Sequence, residues 1–249
     1  AFAWQLDTLM RDFEVISLKE CVARFHRAGR WPRGSAVLTI DDGYRDMYEV
    51  AWPELVKRNV PATLFVTTEF VDGKLWLWPD RLQYALDRTV CVDCIIQLAG
   101  EAVSLSLNTE QARSRAWQMF SDHCIALPDN ERLSFIRQVE LLLGGEPPSA
   151  PPAEYAAVTW EQLREMRAGN IEIGGHTLTH PILSKIDVAL LDKEIGGCRQ
   201  RIEERLSAEV HSFCYPNSGP GDINEAVIAA VSRAGYSGAV FGTNLARWD

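Results

Sequence analysis

From residue 17 onward, apolar and polar positions alternate between two periods. Ser17-Leu18-Lys19-Glu20 has the form of a capping box, and Leu18, Cys21, Val22 and Phe25 follow at i, i+3, i+4 and i+7, which predicts a helix. Ala36-Val37-Leu38-Thr39-Ile40 is a short, mostly apolar run that stops at Asp41-Asp42-Gly43, so a buried strand with acids at its C-terminal end is expected. A helix around Pro53 and a strand over Ala62–Val66 come next. Later, Thr159-Trp160-Glu161-Gln162 opens a helix that stops at Gly169, with Trp160 read as a packing residue. Ile171-Glu172-Ile173 reads as a strand running into Gly174-Gly175-His176. Val188, Leu191, Ile195, Cys198 and Ile202 form the stripe of a long helix. Phe213-Cys214-Tyr215 is a strand stopped by Pro216. A further helix starts at Asp222–Glu225 and ends at Gly235, before a strand over Ser237–Phe241. This alternation predicts an α/β fold, a parallel sheet or (β/α) barrel with helices outside.

Residues from about 73 to 156 break the rhythm. They hold a predicted hairpin over Thr89–Leu107 around Gly100, two helical stretches and the Gly/Pro-rich linker Gly144–Pro152. The expectation is one domain over 1–249 with an insertion or cap at about 73–156, between two barrel strands. Such an insertion would narrow the groove and select the ligand.

Composition narrows the function classes. There are 25 Lys and Arg against 34 Asp and Glu, a formal net charge of −9, so a phosphate backbone would be repelled and nucleic acid is not an expected partner. Hydrophobic residues make up 47% and charged residues 24%, which excludes disorder as the main state. No apolar run approaches the roughly 20 residues of a membrane helix. The opening Ala1-Phe2-Ala3-Trp4-Gln5 has no basic region and does not read as a signal peptide. Six scattered cysteines do not make a disulfide scaffold and favour a cytoplasmic location, with periplasmic or membrane-associated placement as alternatives. Cys91 and Cys94, with His123 and Cys124, could be read as a zinc site. A strand over 89–98 would turn the first pair to opposite faces, so buried thiols are the preferred reading.

Four side chains carry the candidate chemistry. Asp41 and Asp42 stand where a strand ends, the position from which α/β barrels project catalytic groups. His176 and His180 are four apart, and on a helical turn that spacing sets both imidazoles on one face, able to grip one metal. Two imidazoles and a carboxylate make a three-ligand set with a position left for water. Asp-Asp-Gly alone reads as a turn, and a lone pair of histidines as coincidence. Their joint occurrence at strand ends favours a site. His26 and His123 lie at no strand end and are read as surface residues.

Thr39-Ile40-Asp41-Asp42-Gly43 resembles the T-F-D-D-G motif of the polysaccharide deacetylases, the NodB-homology or carbohydrate esterase family 4 group. His176-Thr177-Leu178-Thr179-His180 resembles that family's H-[ST]-x-x-H, and Phe213-Cys214-Tyr215-Pro216-Asn217 its third motif in F-x-Y-P form. Ile173-Gly174-Gly175 and Ala234-Gly235-Tyr236 extend the likeness over most of the chain outside the insertion. The resemblance implies a distorted (β/α) barrel. It also implies that Asp42, His176 and His180 hold a divalent ion, zinc or exchangeable cobalt or nickel. Asp41 would be the general base, the backbone N–H of Asn217 an oxyanion donor, and Tyr215 and Pro216 part of the substrate cleft. Trp76 and Trp78 are candidates for stacking on a sugar ring, with anchoring of the insertion as the rival role.

The chain departs from the family pattern at three places. Ile40 replaces Phe; Cys214 stands where many members carry an arginine beside the base; and no histidine follows His211, where members usually carry a late L-x-H that protonates the leaving amine. Terminal segments beyond this sequence, or another proton donor, are expected in its place.

The resulting expectation is a metal-dependent hydrolase that removes N-acetyl groups from the sugars of a bacterial surface polysaccharide or its precursor. The rivals are a small amide or imide hydrolase on the same scaffold and a non-catalytic glycan-binding relative. Glycan identity and oligomeric state are not encoded in any motif.

Overall fold

The computed structural model describes residues 1–145, 147–148 and 150–242. In chain order these form α1 (Phe2–Asp12), β1 (Glu14–Val15), α2 (Leu18–Ala28), β2 (Ser35–Ala36), β3 (Thr39–Ile40), α3 (Trp52–Arg58), β4 (Ala62–Val66) and α4 (Thr68–Val71). There follow α5 (Trp78–Arg88), β5 (Asp93–Leu98), β6 (Glu101–Ser106), α6 (Glu110–Ala126) and α7 (Asp129–Leu143). The last elements are α8 (Trp160–Ala168), β7 (Ile171–Gly175), α9 (Val188–Leu206), β8 (Ser212–Cys214), α10 (Glu225–Arg233) and β9 (Gly238–Val240). The chain divides into two compact units, Ala1–Leu75 with Ala156–Asp249, and Trp76–Tyr155.

In the first unit, β3, β4, β7, β8 and β9 pair in that order, all parallel, into a curled half-barrel sheet. β4 is buried at every residue, as a central parallel strand covered on both faces must be. On the outer face Leu64, Val66, Ile171 and Ile173 pack with Leu163 and Met166 of α8 and with Leu191, Ile195, Cys198 and Ile202 of α9. On the inner face Phe65 and Cys214 are closed over by Leu18, with Val22 packed against them, both from α2. Phe65 lies so close to β7 that a Cβ on Gly174 would sit 2.4 Å from its ring.

Several expected elements take a different form. The run Ala36–Ile40 is not one strand: β2 pairs with β1 in a separate two-stranded sheet, and β3 pairs with β4. Two sheets share that run, so the chain must leave one ladder before joining the other. The π-helical segment Met47–Ala51 runs without a break into α3, with Pro53 just after the junction, where Trp52 N–H reaches back to the Met47 carbonyl. Val188 is exposed, since it opens α9 before the helix reaches the core, whereas Leu191, Ile195, Cys198 and Ile202 are buried. The capping box at Thr159 is fully formed, and Ser17 accepts from Glu20 N–H at 3.1 Å.

The second unit has its own core, in which Trp78, Leu82 and Leu86 of α5 meet Ile96 of β5, Phe120 of α6 and Ile136 of α7. β5 and β6 form an antiparallel hairpin whose two turn residues, Ala99 and Gly100, have φ of 51° and 88°, as a tight primed turn requires. The strand begins at Asp93, later than the sequence pattern placed it. Of the Gly144–Pro152 linker, Glu146 and Ser149 lie outside the described residues.

Candidate metal and catalytic site

The site is built at the C-terminal ends of β3 and β7. Directly after β3, Gly43 N–H bonds back to the Asp41 carbonyl at 2.9 Å, across a turn in which Asp42 has φ 74°. Gly43 itself has φ 94°, and a Cβ there would lie 3.2 Å from Val66, so the turn demands glycine twice over. Thr67 N–H, at the end of β4, donates to the Asp42 carbonyl at 3.1 Å.

His176 and His180 do not sit on a helical turn. Residues 176–180 form a loop in which Thr177 and His180 take positive φ of 71° and 60°, and this bend, rather than helical periodicity, brings the rings to 5.1 Å. The loop is pinned from both sides. Thr68 and Glu69 N–H groups donate to the carbonyls of Thr177 and Leu178 at 3.2 and 3.0 Å. The buried carboxylate of Glu194, on α9, accepts from Leu178 N–H at 3.1 Å, Thr179 N–H at 3.0 Å and the Thr179 hydroxyl at 3.0 Å. Burial pushes the Glu194 carboxyl up, and the bonds from Thr179 and Leu178 oppose it. Glu194 was not anticipated from the sequence, although an acid on the buried stripe of α9, three residues after Leu191 and four before Cys198, is the signal that marks it.

These elements bring Asp42, His176 and His180 together. The Nε2 atoms of the two imidazoles lie 3.3 and 3.2 Å from Asp42 Oδ1. Although buried, that oxygen has no hydrogen bond of good geometry, and His180 Nδ1 has none either. His176 Nδ1 lies 2.8 Å from the Cys214 carbonyl, which can only accept, so Nδ1 carries a proton and Nε2 is the ring nitrogen directed at Asp42. Burial works to raise the Asp42 carboxyl, but the two imidazoles beside it outweigh burial and hold it well below the usual carboxylate range.

A divalent ion fits this trio. An orphaned carboxylate oxygen faces ring nitrogens at the spacing expected along a tetrahedral edge, roughly 3.3 Å for donors about 2.0 Å from one centre. Two nitrogens and an oxygen suit zinc, cobalt or nickel better than calcium or magnesium. A second trio, Asp41, His176 and Cys214, has its donor atoms within 4.8 Å of one another. Burial, reinforced by Asp41, holds the Cys214 thiol protonated, which makes this the poorer ligand set. Among the described residues no metal-like group of three forms at Cys91, Cys94 and His123. Cys91 lies before the strand, its thiol directed to the Leu142 carbonyl at 3.8 Å.

Asp41 is exposed at the rim beside this trio, and Cys214 lies next to it in place of a cation. Among the described residues the Asn217 N–H donates to no partner. Pro216 and Asn217 are half-buried, whereas the Tyr215 ring is buried edge-on to Phe213 at 5.3 Å and belongs to the core rather than to an open cleft. Trp76 and Trp78 correct the expectation of open sugar-stacking faces. Trp76 is stacked on Tyr155 at 5.8 Å and meets Tyr84 edge-on, while Trp78 is buried under the Arg132 guanidinium at 5.5 Å. Both pack the second unit.

The family model for polysaccharide deacetylases matches residues 28–96 and 144–239. The chain belongs to the polysaccharide deacetylase family. Solved structures similar to this family member include the Streptococcus pyogenes deacetylase PplD in complex with acetate, at 18% identity and a TM-score of 0.56, covering 95% of this chain and 69% of that one. A de-N-acetylase from Aggregatibacter actinomycetemcomitans has 18% identity and a TM-score of 0.54, covering 96% of this chain and 73% of that one. IcaB from Ammonifex degensii has 19% identity and a TM-score of 0.52, covering 94% and 72%. These likenesses establish the deacetylase barrel fold. No curated protein matches the sequence of this deacetylase-family chain.

Proposed function

We propose that the protein is a divalent-metal-dependent hydrolase that removes N-acetyl groups from N-acetylated sugars of a bacterial polysaccharide or its precursor. The observation that carries this reading is the orphaned Asp42 carboxylate oxygen facing His176 and His180, with a second carboxylate, Asp41, at the same strand end. Family membership and the structural likeness to a deacetylase and a de-N-acetylase support the reaction class.

Asp42, His176 and His180 would hold the ion, which when bound supplies a Lewis acid and lowers the pKa of water in its first shell. Asp41, exposed at the rim, accepts the proton of the attacking water as the acetamide carbonyl becomes tetrahedral. Asn217 N–H donates to the developing oxyanion, a role that needs no particular side chain. Nitrogen must be protonated before it leaves as an amine, and Asp41 returns the proton that it took. This needs no histidine after His211. The His176 Nδ1–H bond to the Cys214 carbonyl fixes the ring so that its other nitrogen keeps its orientation through the cycle.

Asp41→Asn tests the assignment. It is expected to lower acetate release from N-acetylglucosamine oligomers by about a hundredfold or more while the protein still binds one equivalent of zinc. Normal turnover by this variant would remove Asp41 from the mechanism. Loss of zinc binding would instead make Asp41 a ligand.

A further inference from the structure

Residues 21–40 contain no acidic side chain, in a chain whose net charge is −9, and they carry Arg24, Arg27, Arg30 and Arg33. The fold gathers all four arginines. With Trp31 and Pro32 they line a concavity of about 450 Å³ at the C-terminal end of α2. Arg24 is engaged by Glu14 and Glu20, at 2.7 and 2.8 Å, and Arg27 reaches Glu20 at 3.2 Å. Arg30 and Arg33 are exposed and have no acidic partner among the described residues.

Trp31, stacked on Phe25 at 4.3 Å and 60% exposed, is also a wall of a second groove of about 590 Å³. Its other apolar walls are Leu18, Val22 and Phe25 of α2 and Ala239 and Val240 of β9. The carboxylates on this groove are already engaged, Glu172 by Ser212 at 2.8 Å and Glu209 by His211 at 3.8 Å. A guanidinium-rich hollow therefore adjoins an apolar trough through one indole ring.

The two halves ask for one kind of ligand. Guanidinium forks favour phosphate oxygens, and an apolar trough favours hydrocarbon. A nucleic acid would use the basic hollow but would gain nothing from the trough. We propose that this face binds an anionic lipid whose headgroup is a terminal phosphate, with the head on Arg30 and Arg33 and the chain beneath Trp31. The trough reaches the N-terminal ends of β7 and β8, at Glu172, His211 and Ser212, whereas Asp42, His176 and His180 stand at the C-terminal end of the same sheet. Lipid bound there leaves the metal-site rim open to a glycan on the other side.

The test uses the full chain with phosphatidylcholine vesicles, the same vesicles doped with phosphatidic acid, and inorganic phosphate alone. Capture by the doped vesicles is expected, weakened about tenfold or more in the Arg30→Ala/Arg33→Ala variant, with Trp31→Ala also weakened and zinc affinity unchanged in both. Equal capture by phosphatidylcholine alone, or undiminished capture of the double variant, would overturn the headgroup assignment. Binding of inorganic phosphate without vesicle capture would reduce the face to a free-anion site. Self-association that blocks vesicles would make its occupant a second copy of the chain. Each of these outcomes contradicts the proposal.

Discussion

Asp42 shows how much of the site rests on single residues. Its carboxylate is ionised despite burial because two imidazoles stand beside it, and its backbone is held left-handed by a turn that ends in an obligatory glycine. Asp41, Asp42, His176 and His180 were legible as a cluster because acids and histidines at strand ends have few other uses. The way the histidines meet was not legible, since a spacing of four residues also arises from a bent loop. Glu194 carries that bend, and its three accepted bonds lead to a direct expectation. Glu194→Gln replaces one acceptor oxygen with a donor facing N–H groups, so zinc affinity measured by chelator competition should fall about 10- to 100-fold. An unchanged affinity would mean that the loop holds its shape without Glu194.

At the scale of elements, the central strands were readable because fully buried parallel strands are continuous apolar runs, as Ala62–Val66 is. The split of Ala36–Ile40 was hidden, because which ladder a residue joins depends on partners far along the chain, Glu14 and Val15 for β2 and Thr63 and Leu64 for β3. Helix α1 lies ahead of the capping box at Ser17 and has no counterpart among the elements predicted from the sequence. The close approach of β7 to β4 predicts that Gly174→Ala forces Phe65 aside and destabilises the protein by about 1–3 kcal/mol in urea unfolding, with a loss of site geometry two residues on. Asp72, after α4, joins Trp160 of α8 at 2.9 Å to Arg201 of α9 at 2.8 Å. Burial works to raise its carboxyl, but the bonds from Trp160, Lys74 and Arg201 hold it below the usual range. A depressed folded-state pKa contributes stability above the unfolded value and loses it as pH falls through the folded one. Stability should therefore drop below about pH 4 in the parent, and Asp72→Asn should be weaker at neutral pH with a shallower acid limb. Equal pH dependence in urea titrations of both proteins would rule this out.

For the whole molecule, the alternation of strands and helices predicted a parallel sheet or barrel with helices outside, since such a sheet clothed by helices buries the pattern, and the motif resemblance added the deacetylase type of barrel that is found. The residues from 76 to 155 were recognisable as a break in rhythm, but their own core, with Trp78 at its edge, depends on α5, α6 and α7 meeting around the hairpin. All three proposed ligands belong to the other unit. An ion at a hundred times its dissociation constant adds about 2.7 kcal/mol, so zinc should raise the calorimetric transition of that unit by about 5–10 °C. No shift at saturating zinc would count against a built site.

The measurement that goes most directly to the centre of this account is acetate release from N-acetylglucosamine oligomers by protein stripped of metal and then supplied with zinc, cobalt or nickel. No release is expected from the stripped protein, and restored release is expected with at least one of the three ions. Release that is indifferent to chelation, or none with a metal bound stoichiometrically, would contradict it.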